Sequence, residues 1–163
     1  MAKNKEEKTN VMRVLEQKKI AYTPHSYPHE EGIAVDGVTV AKSMGFDPAI
    51  VFKTLVARGA SKQYYVFDVP VAENLDLKKA AKAVGEKSIE MIHQKELLPL
   101  TGYVHGGCSP VGMKKLFPTV FHSSAENLAA MIVSAGKIGY QVELSPRDLA
   151  ALVRAKFADI IVE

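Results

Sequence analysis

Apolar positions change period repeatedly along this chain, and each change marks an element. Residues 3–19 begin charged and then place Val11, Val14 and Leu15 at helical spacing, which predicts a surface helix. Alternation over 20–27 predicts a strand, and Pro24 puts it at a sheet edge. After a loop over 28–37, residues 38–44 read as a short helix stopped by Gly45, and Asp47-Pro48 opens a further turn as cap and first helical position. Residues 51–58 alternate strictly, with Val51, Lys53, Leu55 and Ala57 on one face and Phe52, Thr54 and Val56 on the other. A turn over 59–62 and a returning run over 63–69 predict an antiparallel hairpin.

Asp76 caps a predicted helix over 77–84 that Gly85 closes. Short strands are expected over 88–91, 103–105 and 119–121, a short helix over 93–98, and a helical turn over 126–130. Residues 131–133 and 140–144 flank the turn Ser134-Ala-Gly-Lys137 as a second hairpin. Ser145-Pro146-Arg147-Asp148 starts a last helix that runs to about Arg154. Hairpins mixed with short helices predict an α+β fold and not a regular parallel sheet. No repeat, linker or low-complexity segment divides the chain, so one domain over 1–163 is expected, with about the first eight residues loose.

Composition narrows the class without choosing a function. The chain is 47% hydrophobic and 24% charged, as in an ordinary soluble globule. No apolar run approaches the ~18 residues needed to span a bilayer, and the start has no apolar core of a secretory signal. Cys108 is the only cysteine, which excludes an internal disulfide and a multi-cysteine zinc site and fits a cytoplasmic location. The 21 basic and 18 acidic residues leave a weak net charge of +3, compatible with nucleic acid but not diagnostic of it. Lys78, Lys79 and Lys82 cluster on one predicted helix; a solvated face is the plain reading and weak phosphate contact the functional one.

The chemistry concentrates in Tyr103-Val-His-Gly-Gly-Cys-Ser-Pro-Val-Gly-Met-Lys-Lys115. Gly106, Gly107 and Gly112 permit tight turns and close backbone approach, and Pro110 stiffens the segment. Such a loop suits main-chain N–H groups aimed at ligand oxygens, with Lys114 and Lys115 adding charge beside it. Lys53 is the odd residue of its strand: on an apolar face it either snorkels out or serves as a charge in a pocket, where it needs an anionic partner. Cys108 invites a nucleophile reading, but no conventional Cys–His arrangement accompanies it, and a small buried hydrophobe is the better account. Ser134 belongs either to a plain hairpin turn or to a pocket rim. The five histidines form no HExxH pattern and read as surface residues. Neither a GxxxxGK[ST] loop nor a GxGxxG fingerprint is present.

Four segments occur in a familiar order and spacing: Val51-Phe-Lys-Thr-Leu55; Val69-Pro-Val-Ala72 followed by Leu75-Asp-Leu-Lys-Lys-Ala-Ala-Lys-Ala-Val-Gly85; the glycine loop; and Val133-Ser-Ala-Gly-Lys137. Together they resemble the bacterial YbaK (EbsC-type) family of Cys-tRNA(Pro) deacylases, relatives of the prolyl-tRNA synthetase editing domain. The likeness runs from about Val11 to Ile160. It implies a mixed, largely antiparallel, barrel-like sheet surrounded by short helices. It implies hydrolytic or lyase-type removal of cysteine from Cys-tRNA(Pro), with Cys-tRNA(Cys) as a second substrate, no cofactor, no metal, no membrane, and prolyl-tRNA synthetase as a candidate partner. The alternatives are a non-catalytic aminoacyl-tRNA- or nucleotide-binding module, a prolyl-tRNA synthetase accessory protein, and a deacylase for another small amino acid on tRNA(Pro).

Carried over by position, the resemblance gives catalytic roles to Lys53, Gly106 and Ser134. It gives substrate binding to Tyr27, Thr54 and Gly107; Pro110 and Gly112 of the glycine loop and Gln141 of the second hairpin join them as binding candidates, and the charge clusters make Lys78, Lys79, Lys82 and Lys114 candidates for weak phosphate contact. The resemblance implies that the reactive thiol is the substrate's own, with attack by a bound water as the rival route. Two positions depart from its pattern: Asp36 where a Phe is usual, and Gln141 where an Asp is common. Both bear on amino-acid selectivity, and Ile33 or Val35 is a candidate for the missing apolar contact.

Overall fold

The computed structural model describes residues 8–163. It has five α-helices and eight strands among these residues: α1 Asn10–Gln17, β1 Tyr22–Ser26, α2 Gly37–Ser43, β2 Phe52–Gly59, β3 Tyr64–Pro70, α3 Leu77–Val84, β4 Ile89–Met91, α4 Gln94–Thr101, β5 Thr119–His122, β6 Met131–Ser134, β7 Tyr140–Leu144, α5 Pro146–Val153 and β8 Ala155–Ala158. Of the helix expected over 3–19, residues 3–7 lie outside the described residues, as does most of the expected loose start. Thr9 opens α1 by accepting from Met12 N. No helix among the described residues is long and apolar enough to cross a membrane.

The strands form two sheets, mixed and largely antiparallel as expected, and neither closes into a barrel. One runs β1-β7-β6 and the other β4-β2-β3-β5-β8. Pairings are antiparallel in the first sheet and around β2, but β5 pairs in parallel with both β3 and β8. The sheets meet at a parallel bridge between Val51 and Ile132. That bridge sets the entry to β2 beside β6.

Each sheet face has its own apolar cover. α1 and α5 bring Val11, Leu15, Leu149 and Val153 against Val133, Val142 and Leu144. Ala80 and Ala81 of α3 pack on Ala57, Phe67 and Val69. On the opposite face of β2 and β3, Val56 and Val66 pack with Cys108 and Phe117 from the glycine loop and its exit. The strict alternation of β2 thus places Lys53 on the α3 side and Thr54 on the glycine-loop side.

Two expectations give way. Residues 103–105 are not a strand: the segment is held by Tyr103 N donating to Thr101 Oγ1 (3.0 Å) and by the Tyr103 hydroxyl donating to Val111 O. These local bonds satisfy the backbone where a ladder would otherwise be required. The helical turn expected over 126–130 lies earlier, as a 3-10 turn at Ser123–Asn127.

Candidate active site

A cavity of about 300 Å³ opens where the two sheets meet. Its walls come from the entry to β2, the start of α2, the ends of β6 and β7, and the glycine loop. Tyr27, Lys53, Thr54, Gly106, Ser134 and Gln141, widely separated in sequence, all line it. Apolar Val40, Val71 and Leu97 complete the wall. The remaining substrate-binding candidates do not line the cavity: Gly107, Pro110 and Gly112 shape the loop behind it.

Lys53 is half-buried, and its ammonium makes no hydrogen bond or salt bridge among the described residues. Burial lowers its pKa, and the nearby Glu73 carboxylate partly offsets that. A cation held this way, beside a cavity, is available to an anionic ligand.

Gly106 has φ +90°, and a Cβ there would meet Ala34 Cβ at 2.7 Å. Only glycine allows both this conformation and this approach. Its N–H is without a partner among the described residues. Gly107 differs. Its N–H donates to Val104 O at 3.0 Å, so it is spent on a turn and not offered to a ligand. A Cβ on Gly107 would stand 3.1 Å from Ile138 N and 3.3 Å from Lys137 Cα, so that glycine lets the loop lie against the β6–β7 turn. Gly112 is required by φ +78° and by Tyr103 Oη, 2.9 Å from a would-be Cβ.

The Ser134 hydroxyl accepts from Gly136 N at 3.1 Å, which leaves its own proton free to be donated. Tyr27 is buried, which pushes its phenol pKa up, partly offset by a bond with the Gly139 backbone. Gln141 is buried and its Oε1 has no partner. Thr54 donates its hydroxyl to Asp68 Oδ1. Asp36 borders the cavity and caps α2, accepting from Thr39 N at 3.2 Å. Val35 lines the cavity, whereas Ile33 is exposed and outside it.

Cys108 also lines the cavity, but burial, and secondarily the neighbouring Asp68, push its thiol pKa up to about 12. A thiol so held stays protonated and is a poor nucleophile near neutral pH. Two residues escaped the sequence reading. His105, read as a surface histidine, is exposed as expected but also lines the cavity beside Gly106. Asp68 lies fully buried behind Thr54; a charged residue inside the run Tyr64–Pro70 was the available signal.

The lysines proposed for phosphate contact divide. Lys79 donates to Asp159 Oδ2 at 3.1 Å, Ile161 O at 2.9 Å and Glu163 Oε2 at 3.4 Å, so its charge is matched within the protein. Lys114 reaches Pro99 O at 3.3 Å. Lys78 and Lys82 are exposed. No group of three or more His, Cys, Asp or Glu side chains among the described residues is arranged to hold a metal ion.

The family model of the aminoacyl-tRNA editing domain matches residues 34–152, a span that holds all of these cavity residues except Tyr27. The chain belongs to the aminoacyl-tRNA editing domain family. A protein of Enterococcus faecalis, EbsC, named as a Cys-tRNA(Pro)/Cys-tRNA(Cys) deacylase, is 45% identical to this editing domain over 161 residues, which is 98% of each chain. Two crystal structures share the fold. One, described as a trans-editing enzyme for prolyl-tRNA synthetase, has a TM-score of 0.79 at 24% identity, over 94% of this chain and 95% of that one. The other, a hypothetical protein, has a TM-score of 0.82 at 20% identity, over 93% and 99%.

Proposed function

We propose that this editing domain is a deacylase that removes cysteine from mischarged Cys-tRNA(Pro), and also from Cys-tRNA(Cys). The observation that carries the reading is the cavity itself. It gathers an unmatched lysine, a free glycine N–H and a serine hydroxyl proton around a small apolar hollow, and its one cysteine is held as a neutral thiol. The name and near full-length similarity of EbsC support the substrate.

In this reading Lys53 holds a phosphate or ribose oxygen of the terminal adenosine as a point charge. The thiol of the bound cysteine attacks its own ester carbonyl. The S–C bond forms, the C–O bond to the ribose breaks, and the thiol proton ends on the ribose oxygen. The products are a cyclic thiolactone and a tRNA with a free terminal hydroxyl. Gly106 N–H and the Ser134 hydroxyl donate to the oxygen on which negative charge develops. A thiol with pKa ~8.5 is already partly ionised near neutrality, and ring closure gains from intramolecular proximity. The protein has only to fold the ester against the glycine loop.

Selection against cysteine at a second site also makes energetic sense, because pockets discriminate weakly between amino acids of similar size. Prolyl-tRNA synthetase is the partner that would present such a substrate. A single-turnover assay with a panel of aminoacyl-tRNAs tests the reading. Rapid loss of cysteine from tRNA(Pro) is expected, and no cleavage of any member of the panel would overturn it.

A further inference from the structure

The mechanism leaves Asp68 unused, although it is the most completely buried carboxyl in a region that faces the cavity. Asp68 is 0% exposed and pairs with Thr54 across β2 and β3. Its Oδ1 accepts the Thr54 hydroxyl proton, and its Oδ2 is buried without a partner. Burying a carboxyl with an unpartnered oxygen costs free energy that an apolar residue there would not, so the position needs a reason.

Thr54 supplies it. A threonine hydroxyl has one proton and two lone pairs. With the proton committed to Asp68, the Thr54 oxygen has only lone pairs to offer the cavity that Thr54 lines. Gln141 Oε1 is a second acceptor without a partner on a residue lining the same cavity. Two acceptors and an apolar wall suit a compact group with several donors. On the reading of the site as an aminoacyl-ester pocket, that group is the α-ammonium.

We propose that Asp68 is a positioning residue that fixes the Thr54 oxygen as an acceptor for the α-ammonium of the bound aminoacyl ester. The bond from Thr54 survives in either charge state of Asp68, because Oδ1 stays an acceptor when the proton resides on Oδ2. Burial holds the carboxyl pKa up at about 7, partly offset by the Thr54 bond, and Cys108 is the neighbouring titratable group on the glycine-loop side.

The test is a cycle of Asp68→Ala, Thr54→Val and the double variant. It is read as KM and kcat on Cys-tRNA(Pro) and on the same tRNA carrying the deamino analogue, 3-mercaptopropionate. Each single variant is expected to raise KM for the cysteinyl ester about tenfold, the size of one hydrogen bond to a charged group, with kcat changing much less. The double variant should lose no more than either single one. The deamino ester should bind wild type about tenfold more weakly and should be insensitive to both substitutions. Asp68→Asn, which keeps an acceptor for Thr54, should recover most of the KM. Thermal melting of each variant identifies any that fail to fold, and Asp68→Leu, which fills the site without an acceptor for Thr54, then replaces Asp68→Ala in the comparison. Additive losses, or equal sensitivity of the two esters, would overturn the positioning role. A wild type inactive on both esters would overturn the functional reading itself.

Discussion

Lys53 and Lys79 show what the same side chain does in two settings. Lys79, on α3, has three acceptors within 3.4 Å: two carboxylates and a main-chain carbonyl. Its pKa is raised, first by the bond to Asp159. Lys53, one layer away on β2, is half-buried with no acceptor among the described residues, and its pKa is lowered by burial. The first lysine ties α3 to the chain's last residues. The second is a cation the fold leaves unmatched at a cavity. A half-buried lysine left without a hydrogen-bond acceptor beside a cavity is a candidate ligand-binding charge.

The largest effect is expected on substituting Lys53. Lys53→Ala should cut deacylation by about 10²–10³-fold, as loss of a charge-stabilising donor does, while the thermal midpoint stays the same or rises. A fully active Lys53→Ala would remove the cavity lysine from the mechanism.

Asp68→Asn gives the next largest effect, on stability. The folded carboxyl titrates at about 7, well above the unfolded value near 4, so folding takes up a proton between those limits. The stability linked to Asp68 is therefore fully present below about pH 4 and is lost as pH rises to about 7, a change on the order of 4 kcal/mol. Denaturant melts across this range should slope downward in the wild type and be flatter in Asp68→Asn. Identical slopes would show that folding does not raise the pKa of this carboxyl.

A smaller effect is expected for Lys79→Ala. Solvent-accessible ion pairs contribute little, so its midpoint should fall slightly and its kcat should not change. Smallest of all, Cys108→Ser should retain the wild-type rate, because a thiol pushed up to about 12 is not the attacking group. Loss of activity in a folded Cys108→Ser would restore it as the nucleophile.

The sequence showed the antiparallel β2–β3 hairpin and the Asp76-to-Gly85 bounds of α3, because alternation and helix caps are local signals. β8 escaped because it is four residues long, follows α5 directly and pairs in parallel with β5. No turn chemistry announces such a pairing. Residues 103–105 misled because an aromatic and β-branched run suits a strand, while side-chain bonds from Tyr103 and Thr101 hold it as a loop. The alternation in β2 put Lys53 and Thr54 on opposite faces, and the structure keeps them there. Their common cavity was not legible from alternation, since it depends on the Val51–Ile132 bridge that brings the second sheet alongside. Gly106 and Gly107 were alike in sequence, and only the Val104–Gly107 turn bond separates the exposed N–H from the spent one.

In the proposed reaction the reactive sulfur belongs to the substrate. Single-turnover cleavage of Cys-tRNA(Pro) beside Ser-tRNA(Pro), with the released product identified by mass, tests it directly. The two esters differ by one atom, sulfur for oxygen. Fast release from the cysteinyl ester as a thiolactone is expected, with no comparable cleavage of the seryl ester. Equal rates for both, with free amino acid as the first product, would contradict it.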